Sequence, residues 1–260
     1  MIGTATPAPA AETFITLAST TSTDNSGLYG FILPKFTKKT GIAVRVVAVG
    51  TGQALRIARN GDADVLIVHH KTSEEKFVAD GFGVKRFDLM YNDFILVGPP
   101  DDPAAIKGMT DVAQALRRIA QAAAYFVSRG DDSGTHKREQ ELWRRVNIAP
   151  DSRSDRWYRE SGNGMGATLN TASAMEAYTM TDRGTWLAFK NRAHLALAVE
   201  QVPPLRNQYG VIRVSEKKHP HVKAQPARHF VDWLLSDEGQ KAIGAFRVNG
   251  IQLFHPNASR

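Results

Sequence analysis

Apolar runs of strand length alternate along this chain with segments whose apolar residues recur at helical spacing. Phe14-Ile15-Thr16-Leu17-Ala18 predicts a first strand, and the Ser/Thr-rich stretch Ser19 to Ser26 reads as a loop. Leu28, Phe31, Ile32 and Phe36 then share one face of a helix that Gly41 ends. Pro34 falls inside that pattern and either kinks the helix or moves its start. Val44 to Val49 predicts a second strand, followed by the turn Gly50-Thr51-Gly52 and a short helix from Gln53. A strand over Asp64 to Val68 precedes a helix that Thr72 would cap, with Glu75 as its capping-box partner. The repeated strand–loop–helix order implies an α/β fold with a largely parallel sheet.

Asn92 to Gly98 predicts another strand, after which Pro99-Pro100-Asp101-Asp102-Pro103 breaks the chain. A second unit follows: helix Asp111 to Ala123, strand Ala124 to Ser128, loop Arg129 to Gly134 and helix Thr135 to Val146. Beyond a polar stretch, a Gly-rich turn (Gly162 to Gly166) opens a helix running through Tyr178. A strand near Leu195 to Val199 leads into Val202-Pro203-Pro204-Leu205, a second break. The tail predicts a strand, Gly210 to Val214, and helices around Ala227 to Leu235 and Glu238 to Phe246. Two Pro-marked crossovers imply two lobes. Residues 1–98 and 205–260 would form the first and residues 99–204 the second, joined by a two-strand hinge with a ligand cleft between them.

Composition narrows the function classes. With 260 residues and 42% hydrophobic content, the chain can bury a sizeable core. A net charge of +7 favours an anionic partner, but the basic residues are spread out, and only Arg117-Arg118, Arg144-Arg145 and Lys217-Lys218 pair up. Without a basic arm or aromatic–basic alternation, nucleic acid is disfavoured. The lack of cysteine excludes disulfides, thiolate zinc sites and cysteine nucleophiles. Met1 to Thr13 is rich in small residues, like the surroundings of a signal-cleavage site, and reads as the remnant of an export signal.

Three loops that follow strands and open helices share one chemistry: Ser19-Thr20-Thr21-Ser22-Thr23, Gly50-Thr51-Gly52, and Ser128-Arg129-Gly130-Asp131-Asp132-Ser133-Gly134-Thr135. In open α/β sheets ligands bind beyond the carboxyl ends of the strands. Free backbone N–H groups and the helix dipole favour an anion there, hydroxyls add donors, and Arg129 adds a fixed positive charge. Each loop alone is explained by ordinary capping; the three together point to an anion site. Gly166-Ala167-Thr168 opens a fourth candidate helix start.

Those loops resemble the motifs of tungstate-binding proteins of bacterial ABC transporters. Ser19 to Ser22 with Ser26-Gly27-Leu28 is similar to their Thr-Thr-Thr-Ser motif, with Ser19 in place of the first Thr. Val49 to Leu55 running into Gly61 to Val65, and Ser128 to His136, fit the same pattern. The resemblance spans about residues 14 to 255. It implies a type II periplasmic binding protein fold, a periplasmic location, an oxyanion in the cleft and delivery to a membrane permease. It also implies a monomer that uses no cofactor or metal. Carried over, Ser19, Thr20, Thr21, Ser22 and Thr51 would bind tungstate from the first lobe, and Arg129, Ser133, Thr135, Gly166 and Thr168 from the second. Ser26 either binds or caps its helix.

Phosphate is the closest competing ligand, because Arg129-x-x-x-Ser133-Gly134-Thr135 also resembles the motif of phosphate-binding proteins. Phosphate carries a proton near neutral pH and needs an acceptor carboxylate, which Asp131 or Asp132 could supply. Tungstate is fully ionised and needs donors only. The hydroxyl-rich first loop favours tungstate; no residue separates tungstate from molybdate. An enzyme on the same fold would need a general base, and none stands out; Ser133 lacks a nucleophile elbow. His69-His70 and His219-Pro220-His221 have no acidic or Cys partner at metal-ligand spacing.

Overall fold

The computed structural model describes residues 13–192 and 194–258. The segment read as an export-signal remnant therefore lies, up to residue 12, outside the described residues. The chain begins with strand β1 (Phe14–Thr20), helices α1 (Thr21–Asn25) and α2 (Leu28–Thr40), β2 (Ala43–Val49), α3 (Thr51–Asn60), β3 (Val65–Val68) and α4 (Lys71–Ala79). The 16-residue strand β4 (Gly83–Gly98) carries it into α5 (Val112–Gln121), β5 (Phe126–Ser128), α6 (Gly134–Arg145), β6 (Tyr158–Glu160), α7 (Met165–Ala174), β7 (Thr179–Asp182), α8 (Arg183–Ala188) and β8 (Ala196–Val199). Strand β9 (Arg206–Val214) brings it back to α9 (Ala224–Leu235), α10 (Asp237–Ala245) and the short strands β10 (Arg247–Val248), β11 (Ile251–Gln252) and β12 (His255–Pro256).

Parallel pairing holds where strands alternate with helices: β1 pairs β2 and β3, and β5 pairs β6. The long strands β4 and β9 run antiparallel to each other and add antiparallel pairs to β3, β7, β8 and β12, so the sheet as a whole is mixed and curls. A strand that crosses between cores and another that returns must run in opposite directions. The in-register pairing of β1 with its neighbours sets the carboxyl ends of β1, β2 and β3 at one edge.

Local chemistry accounts for the element ends. Gly41 sits at φ 71° and its N–H bonds the Thr37 carbonyl at 2.8 Å, closing α2 with the left-handed residue that glycine adopts without a Cβ clash. Pro34 does not move the start of that helix, which runs from Leu28. The stretch expected as a loop after β1 contains the one-turn helix α1. Helix α4 starts earlier than expected. His70, not Thr72, is its cap, accepting from the Ser73 N–H at 3.3 Å while Glu74 accepts the His70 N–H at 2.7 Å.

Two cores lie on each side of the crossing strands. Ile15, Leu17, Ile32 and Phe36 pack against Phe230 and Leu234 of α9, while Ala54 of α3 packs with Leu66 and Val68 of β3. Beyond the crossing, Phe126 meets Trp143 edge-on at 5.4 Å and stacks on Tyr158 at 6.0 Å, and Ile95, Val97 and Leu169 form a further cluster. Each such side chain, fully buried, stabilises the fold by roughly 1.5–3 kcal/mol. Core membership switches along β4 between Met90 and Phe94, and along the return strand between Leu205 and Tyr209. Among the described residues no helix is long and apolar enough to cross a membrane.

Candidate functional site

A small polar cavity lies where the carboxyl edge of β1, β2 and β3 meets the loop after β5. Its walls are Thr20, Thr21 and Ser22 from the end of β1 and the start of α1, Val49, Gly50 and Thr51 from the β2–α3 junction, and His69 from the end of β3. Arg129, Ser133, Gly134 and Thr135 close it from the β5–α6 loop. Three helices, α1, α3 and α6, begin on this cavity. Helix α3 is capped by Gly50 without a side-chain bond, so its first backbone N–H groups keep their donor capacity, and the positive end of the dipole faces the same space.

Among the described residues the lining contains no carboxylate. Thr51 Oγ1, His69 Nδ1 and Arg129 Nε are buried and have no hydrogen-bond partner. Buried polar atoms are nearly always paired, so three orphans around one cavity mark a place that an acceptor fits. Burial pushes the His69 imidazole down to about 4, so the ring is neutral at pH 7 and in one tautomer donates from Nδ1. The two walls nearly touch. A Cβ built on Gly134 would sit 2.5 Å from His69 Cε1 and 3.0 Å from Thr51 Oγ1, so only glycine lets α6 approach this closely.

The expected site residues divide into three groups. Thr20, Thr21, Ser22, Thr51, Arg129, Ser133 and Thr135 are brought together around the cavity. Gly166 lines an adjoining, more open cavity with Thr21, Ser22 and Arg129. Ser19 and Thr168 do not reach either. The Ser19 hydroxyl donates to the Ile67 carbonyl at 2.8 Å and bonds the Tyr29 hydroxyl, pointing away from the cavity. Thr168 spends its hydroxyl on Ser161 at 2.7 Å and on the Gly164 carbonyl. The Ser26 hydroxyl donates to the Thr23 carbonyl and accepts from the Leu28 N–H, and the residue also lines the adjoining cavity beside Gly166.

Asp131 and Asp132 are both occupied elsewhere. Asp131 pairs with Arg129 and accepts the Ser133 N–H at 3.2 Å, so it orients the guanidinium and the start of α6. Asp132 is largely exposed and pairs with Lys137. His69 was missed as a lining residue. The available signal was its position: it follows β3 as Thr21 follows β1 and Gly50 follows β2.

Behind Arg129, the buried carboxyl of Glu139 accepts from Ser128 at 2.6 Å, Tyr158 at 2.8 Å and Trp143 at 3.1 Å. Burial raises its pKa from 4.5 to about 7 despite those donors. A folded value above the unfolded one means that the folded protein holds the proton more tightly. The contribution to stability is therefore present below about pH 4.5 and is lost as pH rises through about 7. Urea melts between pH 5 and 8 should show wild type losing more stability than Glu139→Gln. Parallel curves would contradict this. Glu74, raised to about 7 by burial, contributes the same trend to both proteins and cancels.

Comparison with known proteins gives consistent matches. The model of the PBP superfamily domain matches residues 3–238. Tungstate-binding protein TupA of Peptoclostridium acidaminophilum is 49% identical over 95% of this chain and 86% of its own length. The protein of the same name from Campylobacter jejuni is 36% identical over 90% of this chain and 87% of its own length. Among solved structures, the tungstate binding protein TupA from Desulfovibrio alaskensis G20 superposes with a TM-score of 0.85 at 47% identity, covering 95% of this chain and 100% of that one.

Proposed function

This chain belongs to the PBP (periplasmic binding protein) superfamily and, within it, to the family of the tungstate-binding proteins, and from that premise we propose that it is the solute-binding component of an ABC importer for tungstate. The observation that carries the reading is the chemistry of the cavity. Hydroxyls, helix-start N–H groups, one guanidinium and a neutral imidazole surround it, and among the described residues no carboxylate does. A dianion without protons satisfies donors only, whereas a protonated phosphate needs an acceptor.

In this reading Thr20, Thr21, Ser22 and Thr51 hold the anion from one lobe and Arg129, Ser133 and Thr135 from the other, with His69 as an added contact. The division into a first lobe of residues 1–98 and 205–260 and a second of residues 99–204 follows the sequence; core membership favours crossovers a few residues earlier on β4, between Met90 and Phe94, and later on the return, between Leu205 and Tyr209. Contacts from both lobes stabilise the closed form over the open one, which is the condition for a ligand to shift that equilibrium. A membrane permease then receives the closed, periplasmic monomer. No catalytic step, resident metal or cofactor enters the cycle.

Calorimetric titration of anion-free protein with tungstate, molybdate, sulfate and phosphate at neutral pH tests the assignment. Tungstate should bind tightly, and phosphate should not compete with it. Molybdate, of nearly the same size and charge, should follow tungstate. Phosphate binding without tungstate binding would overturn the proposal.

A further inference from the structure

A second, larger cavity of about 1,030 Å³ of open space adjoins the oxyanion cavity, the two sharing His69 as a wall. Its charge is one-sided. Lys71 from the start of α4, which pairs with Glu75 at 3.7 Å, Arg138, Arg144 and Arg145 from α6, and Arg206 from the start of β9 line it, against one lining carboxylate among the described residues, Glu141. That carboxylate is already spent: it accepts from Arg138 Nη1 at 2.8 Å and from His70 Nε2 at 3.0 Å. Arg138 Nε is buried with no partner. Arg144, Arg145 and Arg206 form no ion pair among the described residues, and Arg206 is held over the Tyr91 ring, 3.8 Å from its centroid.

Like charges gathered in a cleft repel one another and are stabilised by a counter-ion, and walls of one sign focus the field on the space between them. Planar guanidinium groups match phosphate and carboxylate oxygens in pairs. The space is several times that of the oxyanion cavity, and the cations come from three separate elements, so one tetrahedral ion would reach only some of them. We propose that this cleft is a second anion site, distinct from the tungstate cavity, that takes an extended polyanion of the oligophosphate class.

Calorimetric titration of tripolyphosphate into tungstate-saturated protein tests it, because the oxyanion cavity is then filled. Wild type should bind one tripolyphosphate. Arg144→Gln/Arg145→Gln should weaken that binding at least about tenfold, the removal of two charge-assisted contacts, while leaving tungstate affinity unchanged. Arg129→Ala, titrated without tungstate, should still bind tripolyphosphate. The site is therefore tested separately from the tungstate assignment, which stands or falls on the tungstate titration alone. Absence of heat from wild type, or equal affinity in the double variant, would overturn the proposal.

Discussion

Arg129→Ala should weaken tungstate binding by roughly 2–5 kcal/mol, about 30- to 4,000-fold. Among the described residues, Arg129 carries the only formal charge on the cavity lining, is 8% exposed, and keeps its Nε buried without a partner. A buried dianion deprived of its counter-charge loses the Coulomb attraction and a bidentate donor together. Folding should be little affected. The residue belongs to a loop, and Ser161 bonds its backbone carbonyl, which the substitution leaves in place. Arg129→Lys should fall between the two, keeping the charge and losing the planar fork. Calorimetry with a thermal melt checks this, and wild-type affinity in Arg129→Ala would remove the residue from the site.

A single methyl group should be almost as damaging. Gly134→Ala places a Cβ 2.5 Å from His69 Cε1 and 2.9 Å from His69 Nδ1, well inside contact distance. The His69 ring is buried and cannot simply swing aside. The start of α6 must therefore withdraw from the ends of β2 and β3, opening the cavity that both walls form. Overpacking of this kind costs roughly 1–3 kcal/mol, or about 5- to 150-fold in affinity. In the two-lobe reading the clash opposes closure of the walls on the anion and is relieved when they separate, so the melt of the anion-free protein should be little changed. A melt no lower than that of wild type, with weakened tungstate binding, is the expected pair of results. Unchanged binding would show that the two walls do not need this approach.

Much of the molecule was legible in the sequence because the information is local. Periodicity placed the helix over Leu28, Ile32 and Phe36 and the strands around Val46, Leu66 and Ile212, and Ser133 marked the start of α6. What local pattern could not reach was the direction of a side chain or the partner of a strand. Ser19 and Thr20 are adjacent hydroxyl residues of one motif. Strand alternation sends the first toward Tyr29 and the Ile67 carbonyl and leaves the second on the cavity. The crossing strand β4 was read only from Asn92, because Lys85, Arg86 and Asp88 break its apolar run. The ion pairs that make them acceptable, Arg86 to Glu74 at 2.7 Å and to Asp88 at 2.6 Å, form only on folding. His69, set aside in the sequence for want of a metal-ligand partner, lines the cavity, since its place at the strand edge depends on β3 lying beside β1. The chain by itself thus determined which segments carry donors for an anion. Only the tertiary structure decided which of those donors converge, because convergence depends on strand register and on how closely α6 can approach, and neither is encoded within one local stretch of residues.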